Sequence, residues 1–252
     1  GLMPEYKAKD GKINFGAITI DQKVRLAKAK NYLTDWDEFY DVQNGANFGG
    51  LEEYVGKQRR FITSGRDLAT YVHYDALYQA YLNACLMLLG AGAPFDDGVP
   101  FQGPDEEDKQ QGFAHYGGPH ILTLVTEVAT RALKAVRYQK FNVHRRLRPE
   151  VLAARLHKTT AINVPSLTKM HNDLEEAGLF DFLDKDNLLL PMAFCEGSPM
   201  HPTYGAGHAT VAGACVTILK AFFKNDLNVN IASDGSTISF NENKNRYAFV
   251  PS

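Results

Sequence analysis

The sequence predicts an all-α protein, a helical bundle with long connections. Three observations carry this. Apolar residues recur at three- and four-residue steps through three long stretches, residues 66–89, 121–147 and 208–223. Pro/Gly-rich connections, residues 90–111 and 201–207, precede the second and third of them. The composition, 44% hydrophobic and 22% charged over 252 residues, supports a core and excludes wholesale disorder.

Residues 1–60 are mixed and polar, with turn signals at Asn44-Gly45 and Gly49-Gly50 and one helical stretch over residues 21–32. Ser64, with Asp67 three residues on, forms a variant capping box that opens the first long helix. Leu68, Tyr71, Val72, Leu77, Ala80, Tyr81, Ala84 and Leu88 make its apolar face. Pro119 stands near the first position of the second long helix, and Arg148-Pro149 ends it, because the residue before a proline is pushed out of the α region. Two short helices follow, residues 151–158 and 167–177. The acidic turn Asp184-Lys185-Asp186-Asn187 lacks the spaced ligand loop of a calcium site and suits a solvated turn. After the third long helix a polar tail carries a short strand at residues 237–240.

The charge balance, 27 basic against 29 acidic residues, points to no nucleic-acid partner and no anionic membrane surface. The longest apolar stretches, residues 84–95 and 209–219, fall short of the roughly 18–20 residues of a membrane span. Cys85, Cys195 and Cys215 have neither a disulfide framework nor zinc spacing, and are expected as small buried hydrophobes. The chain shows no charged-then-apolar signal segment and no internal repeat.

Seven basic residues fall between positions 131 and 148: Arg131, Lys134, Arg137, Lys140, Arg145, Arg146 and Arg148, with no carboxylate between Glu127 and Glu150. At about 100° per residue, with Arg137 at zero, Val143, Val136, Leu147 and Leu133 fall at about 240°, 260°, 280° and 320°. Lys140 falls at about 300°, inside this apolar stripe, with His144 and Arg148 at its edge beside Arg137. A lysine on a core face needs a partner, since a lone buried ammonium costs several kcal/mol. One carboxylate would not balance Lys140, Arg148 and Arg137 together, whereas a bound oxyanion would, and arginine forks match tetrahedral oxyanions well.

The second feature is the loop His201-Pro202-Thr203-Tyr204-Gly205-Ala206-Gly207-His208 before an apolar helix. Small residues there expose backbone N–H groups at a helix N-terminus, which favours anions. His208 stands at the mouth, with a side chain suited to proton transfer near neutral pH.

Lys140, seven residues, Arg148-Pro149, and the downstream Gly-Ala-Gly-His loop together resemble the vanadium-dependent haloperoxidases. The segments 139–149 and 201–208 resemble the bromoperoxidases of red algae and cyanobacteria, and the similarity extends from about residue 55 to 225. The resemblance implies a helical bundle of the vanadium haloperoxidase and acid phosphatase type. It implies vanadate as cofactor, with Lys140 and Arg148 on its oxygens, Gly207 giving its N–H, Ala206 at the loop position and His208 as acid–base group. His201 takes the position associated with bromide oxidation and Arg137 one near the halide. Asp75 is a candidate for orienting His208, set against an ordinary exposed helix aspartate.

Two departures qualify the resemblance. The family's loop serine is Ala206 here, which removes one hydroxyl bond worth about 0.5–1.5 kcal/mol. The family's last motif supplies a second arginine and the axial histidine on vanadium. No histidine follows His208, and Asn245-Arg246-Tyr247 does not match that motif. The axial ligand is therefore not found in this chain, which is expected to be truncated before that motif and inactive or nearly so by itself. The expected organisation is an N-terminal mixed segment over residues 1–60 packing on the core, a helical catalytic core over 61–225 and a polar tail over 226–252. The expected reaction is oxidation of bromide by hydrogen peroxide to hypobromous acid, which halogenates small organic acceptors, in a homo-oligomer. A phosphatase on the same scaffold and an inactive helical assembly subunit are the alternatives.

Overall fold

The computed structural model describes residues 11–101, 112–184, 186–232 and 238–242. Helices dominate, as expected, and three two-stranded antiparallel hairpins accompany them. The first pairs β1 (Lys12–Phe15) with β2 (Ile18–Asp21). The second pairs β3 (Val24–Ala27) with β4 (Tyr54–Arg60), and the third pairs β5 (Leu227–Ile231) with β6 (Ile238–Glu242). The helix expected over residues 21–32 is not formed. That stretch holds β3, whose partner strand lies some thirty residues on, so no local signal could reveal the pairing. The expected tail strand is β6, one residue later than placed; Thr237 lies outside the described residues.

Eight α-helices are described: α1 (Trp36–Gln43), α2 (Gly65–Tyr74), α3 (Gln79–Gly90), α4 (Gly118–Tyr138), α5 (Pro149–His157), α6 (Thr159–Ile162), α7 (Pro165–Glu176) and α8 (Gly207–Phe222). The two later short helices fall where expected, each started by a proline at its first turn. The acidic turn closes on itself, with the Asp186 N–H donating to Asp184 Oδ1.

The first long helical stretch is broken. α2 ends at Asp75, which is extended, and α3 restarts four residues later, so the apolar periodicity continues across a real turn. The α2 cap forms as expected: Ser64 Oγ accepts the Asp67 N–H at 3.1 Å. Asp67 is 2% exposed and gathers four donors besides, two from Arg60 on β4, the Thr63 N–H and the Thr63 hydroxyl. This carboxylate clips the second hairpin to the start of α2.

The main core lies between α3, α4 and α8, where Cys85, Ile121, Val125, Ala129, Val211, Cys215 and Phe222 are buried together. α4 and α8 pack closely enough for Cys215 Sγ to meet the Val125 carbonyl at 3.7 Å. A second cluster joins Tyr32, Leu33, Phe39, Ala154, Leu189 and Cys195. All three cysteines are buried and free, as expected, and burial pushes the Cys85 thiol up to about 12. Among the described residues no helix is long and apolar enough to cross a membrane. α4 starts at Gly117, where the chain folds back against Gly112 so closely that a Cβ would strike its carbonyl.

α4 departs from expectation at its C-terminal end. The regular helix stops at Tyr138, Gln139–His144 forms a π-helical turn, and Arg145 adopts the left-handed conformation with φ 45°. Arg148 is extended before Pro149, as expected. A π turn advances less than 100° per residue. The phase computed from Arg137 therefore holds through Lys140, which is 4% exposed, and fails beyond it: Val143 is 51% and Leu147 43% exposed.

Asp67 supplies a pH test. Burial pushes its pKa up, but bonds from the Thr63 N–H, Arg60, Ser64 and the Thr63 hydroxyl outweigh that and hold it below its usual 3.8. The unfolded chain then binds the proton first as pH falls. The stabilisation is complete above the unfolded value and is lost as pH drops through the lower folded one. Asp67→Asn is expected to flatten the acid limb of stability below about pH 4, read as denaturant midpoint against pH. In the core, Val125→Ala is expected to lower unfolding free energy by about 1.5–3 kcal/mol, measured by urea titration.

Candidate active site

The end of α4 and the loop before α8 meet. Added Cβ atoms at Gly205 and Gly207 would lie 3.5 Å from Val136 Cγ2 and 3.9 Å from Leu133 Cδ1, so the glycine loop rides on the apolar face of α4. Val136 and Lys140 are four residues apart on that face. The loop is tied down further by the Thr203 N–H to the Arg146 carbonyl at 3.1 Å, and by Tyr204, which meets His144 edge-on at 4.7 Å between ring centroids.

Lys140 is enclosed by this contact. Its Nζ donates to the Pro202 carbonyl at 2.9 Å and lies 3.1 Å from His201 Nδ1. An ammonium only donates, so with Lys140 charged His201 Nδ1 is the acceptor and its ring proton sits on Nε2. Two of the three ammonium protons are thereby used and one is left. Burial, then Arg148, then Arg137 pull the Lys140 pKa below its usual value. Among the described residues no carboxylate is within ion-pair reach of Lys140. Lys140 thus shares its surroundings with two further cations, Arg148 and Arg137.

Arg148 is held from one side. Its Nε donates to Glu150 Oε1 at 2.5 Å, and among the described residues its Nη atoms have no hydrogen bond. Arg137 is exposed, on the last turn of α4. Ala206 is the N-cap of α8 and offers no side-chain bond, so the first N–H groups of the helix, Gly207 onward, have no intrahelical acceptor and no cap. His208, 53% exposed, is the second residue of α8. Its Nε2 lies 3.8 Å from Asp75 Oδ2, within ion-pair reach but longer than a hydrogen bond.

Asp75 differs from the exposed helix aspartate set against it above. It stands in the α2–α3 break with its side chain only 8% exposed. Burial raises its pKa, and His208 acts in the opposite direction. Glu150 and Ser198 were not legible as site residues. Glu150 follows Arg148-Pro149 as an ordinary first-turn acid, and nothing local showed that it is buried and bonded to Arg148.

The arrangement can hold a tetrahedral oxyanion. It offers one free ammonium proton, a guanidinium with both Nη atoms open, and an uncapped helix N-terminus beside a histidine. This donor set fits the oxygens of vanadate or phosphate. A donor to the metal is a separate requirement, and the sequence after His208 holds no histidine.

The fold is a helical bundle of the vanadium haloperoxidase type, with donors gathered where its long helix meets the glycine loop. Known proteins resemble the chain as follows. The chain is 50% identical over 245 residues to the vanadium-dependent bromoperoxidase of Corallina pilulifera, a match covering 88% of this chain and 40% of that protein. It is 49% identical over 245 residues to that of Corallina officinalis, with the same coverage. The bromoperoxidase of Ascophyllum nodosum is 36% identical over 216 residues, 81% of this chain and 38% of that one. A solved homohexameric vanadate-dependent bromoperoxidase from Ascophyllum nodosum matches with a TM-score of 0.64 at 27% identity, covering 94% of this chain and 42% of that chain. No family model matches the chain. The chain spans about 40% of the length of the curated relatives it matches, and over that span its resemblance to the vanadium-dependent bromoperoxidases is established.

Asp75 carries a stability test of its own. Its folded pKa is raised, so the folded chain binds the proton first, and stability falls as pH rises from the unfolded value through the folded one. Asp75→Asn is therefore expected to melt at or above the wild-type temperature at pH 7, with no advantage at pH 3. Calorimetry at the two pH values checks this.

Proposed function

We propose that the protein containing this chain is a vanadate-dependent bromoperoxidase, oxidising bromide with hydrogen peroxide to hypobromous acid, which halogenates small organic acceptors. The observation that carries this reading is the buried Lys140, flanked by Arg148 and Arg137, with no carboxylate among the described residues to balance it. The names of the relatives favour it over a phosphatase or an inactive assembly subunit. We also propose the division into residues 1–60, 61–225 and 226–252 and assembly as a homo-oligomer; the homohexameric relative supports the latter.

In this reading Lys140 and Arg148 hold the oxygens of vanadate, and the Gly207 N–H, aligned with the α8 dipole, adds a further donor. Bound vanadate supplies a Lewis acid that activates peroxide without changing oxidation state. Lys140 keeps positive charge in a nearly dry place, where it acts more strongly than in water. His208 takes and returns a proton at Nδ1, the nitrogen turned away from Asp75, with Asp75 facing Nε2 and orienting the ring. His201, whose Nδ1 accepts from Lys140, stands with Arg137 on the halide side. Ala206 leaves the oxyanion one hydroxyl donor short.

Three substitutions test the assignment in the complete protein. Lys140→Ala removes a charge-assisted bond of about 1.5–3 kcal/mol, so vanadate affinity is expected to fall about 10–100-fold. Ala206→Ser is expected to tighten it by up to about tenfold. Both are read by equilibrium titration. His208→Ala is expected to cut bromination turnover about 10²–10⁴-fold with vanadate affinity much less affected. Near-normal turnover of that variant across pH 5–8 would remove His208 from the acid–base role.

A further inference from the structure

We propose that Glu150 is a positioning residue for the oxyanion site, locking the Arg148 guanidinium side-on so that its Nη edge faces the anion. The inference rests on the oxyanion reading of Lys140, Arg148 and Gly207. Glu150 is only 8% exposed although it lies in the first turn of α5. Its Oε1 accepts the Arg148 Nε–H at 2.5 Å. Burial raises its pKa, but its own backbone N–H, Ser198 and Arg148 together bring it below the usual value, so it is ionised at neutral pH.

The geometry explains why the bond goes to Nε. Arg148 is extended and Pro149 has a fixed φ, which sets the short span between residues 148 and 150. A carboxylate on Nε leaves four N–H donors on the Nη atoms, the planar fork that matches two oxygens of a tetrahedral anion. Without Glu150 the arginine side chain has several rotatable bonds and no fixed direction, and ordering it would fall to the anion.

Charge alone predicts the opposite sign from positioning. A carboxylate beside an anion site repels the anion, so its removal should tighten binding if Glu150 only completes an ion pair. If it aims Arg148, its removal weakens binding. Groups that orient a ligating residue typically account for about 10–100-fold in affinity.

The test uses the complete apoprotein, titrated calorimetrically with orthovanadate and, separately, with inorganic phosphate, after melting curves without anion establish folding. Glu150→Ala is expected to weaken both anions by about tenfold or more. Glu150→Gln, which keeps an acceptor for Nε, is expected to restore most of that loss. Unchanged or tighter binding by a folded Glu150→Ala overturns the inference. Should that variant not fold, Glu150→Asp, whose shorter side chain draws the acceptor back from Nε, decides: a loss of about two- to threefold supports positioning, and wild-type affinity overturns it. Arg148→Ala is the reference. If it binds as wild type does, or if the wild type binds neither anion, the oxyanion site fails and this inference with it. If Arg148→Ala loses binding while Glu150→Ala does not, only the role of Glu150 fails.

Discussion

A lysine buried with no carboxylate in reach among the described residues is the constraint on which the rest of this structure depends. Lys140 is nearly inaccessible, and two arginines stand near it. An ammonium in that position would ordinarily be neutralised by an acid or lose its proton. Here its bonds go to neutral acceptors, the His201 ring and the Pro202 carbonyl. Neutral acceptors satisfy protons without cancelling charge, so a protonated Lys140 holds its positive potential for something else. The glycine loop must lie flat on α4 to supply those acceptors, which is why it carries so little side chain over Leu133 and Val136.

The carboxylates of the region stand one step away from the cations' open donors, and their surroundings push them in opposite directions. Glu150 collects enough donors to outweigh its burial and stays ionised against Arg148. Asp75, buried in a helix break with one distant partner, is pushed up instead. The same chemical group is thus an anchor for a guanidinium in one place and a weakly held neighbour of a histidine in the other. Their different hydrogen-bond counts account for the difference.

The π turn at Gln139–His144 does for the backbone what these carboxylates do for side chains. It interrupts α4 directly at the functional lysine, turns Val143 and Leu147 outward, and leads through the left-handed Arg145 to the extended Arg148. A regular helix would have carried Arg148 onward along the α4 axis. The interruption lets it return toward Lys140 with Pro149 starting a new helix.

What the sequence determined by itself was local or chemically specific. The helical periodicities, the Ser64 cap, the proline-started helices, the burial of Lys140 and its association with the His201–His208 loop were all legible, because each is set by residues within a few turns or by a pair of motifs with few alternative uses. Tertiary structure alone decided the rest. The pairing of β3 with β4 joins strands some thirty residues apart. The break at Asp75 interrupts an apolar stripe that shows no break in pattern. The end of regular helix at Tyr138 comes where the periodicity still reads as helix. The burial of Glu150 and its bond to Arg148 have no local mark. The physical reason is common to these four: each depends on which distant surface covers the residue, and hydrophobic spacing along the chain carries no record of that.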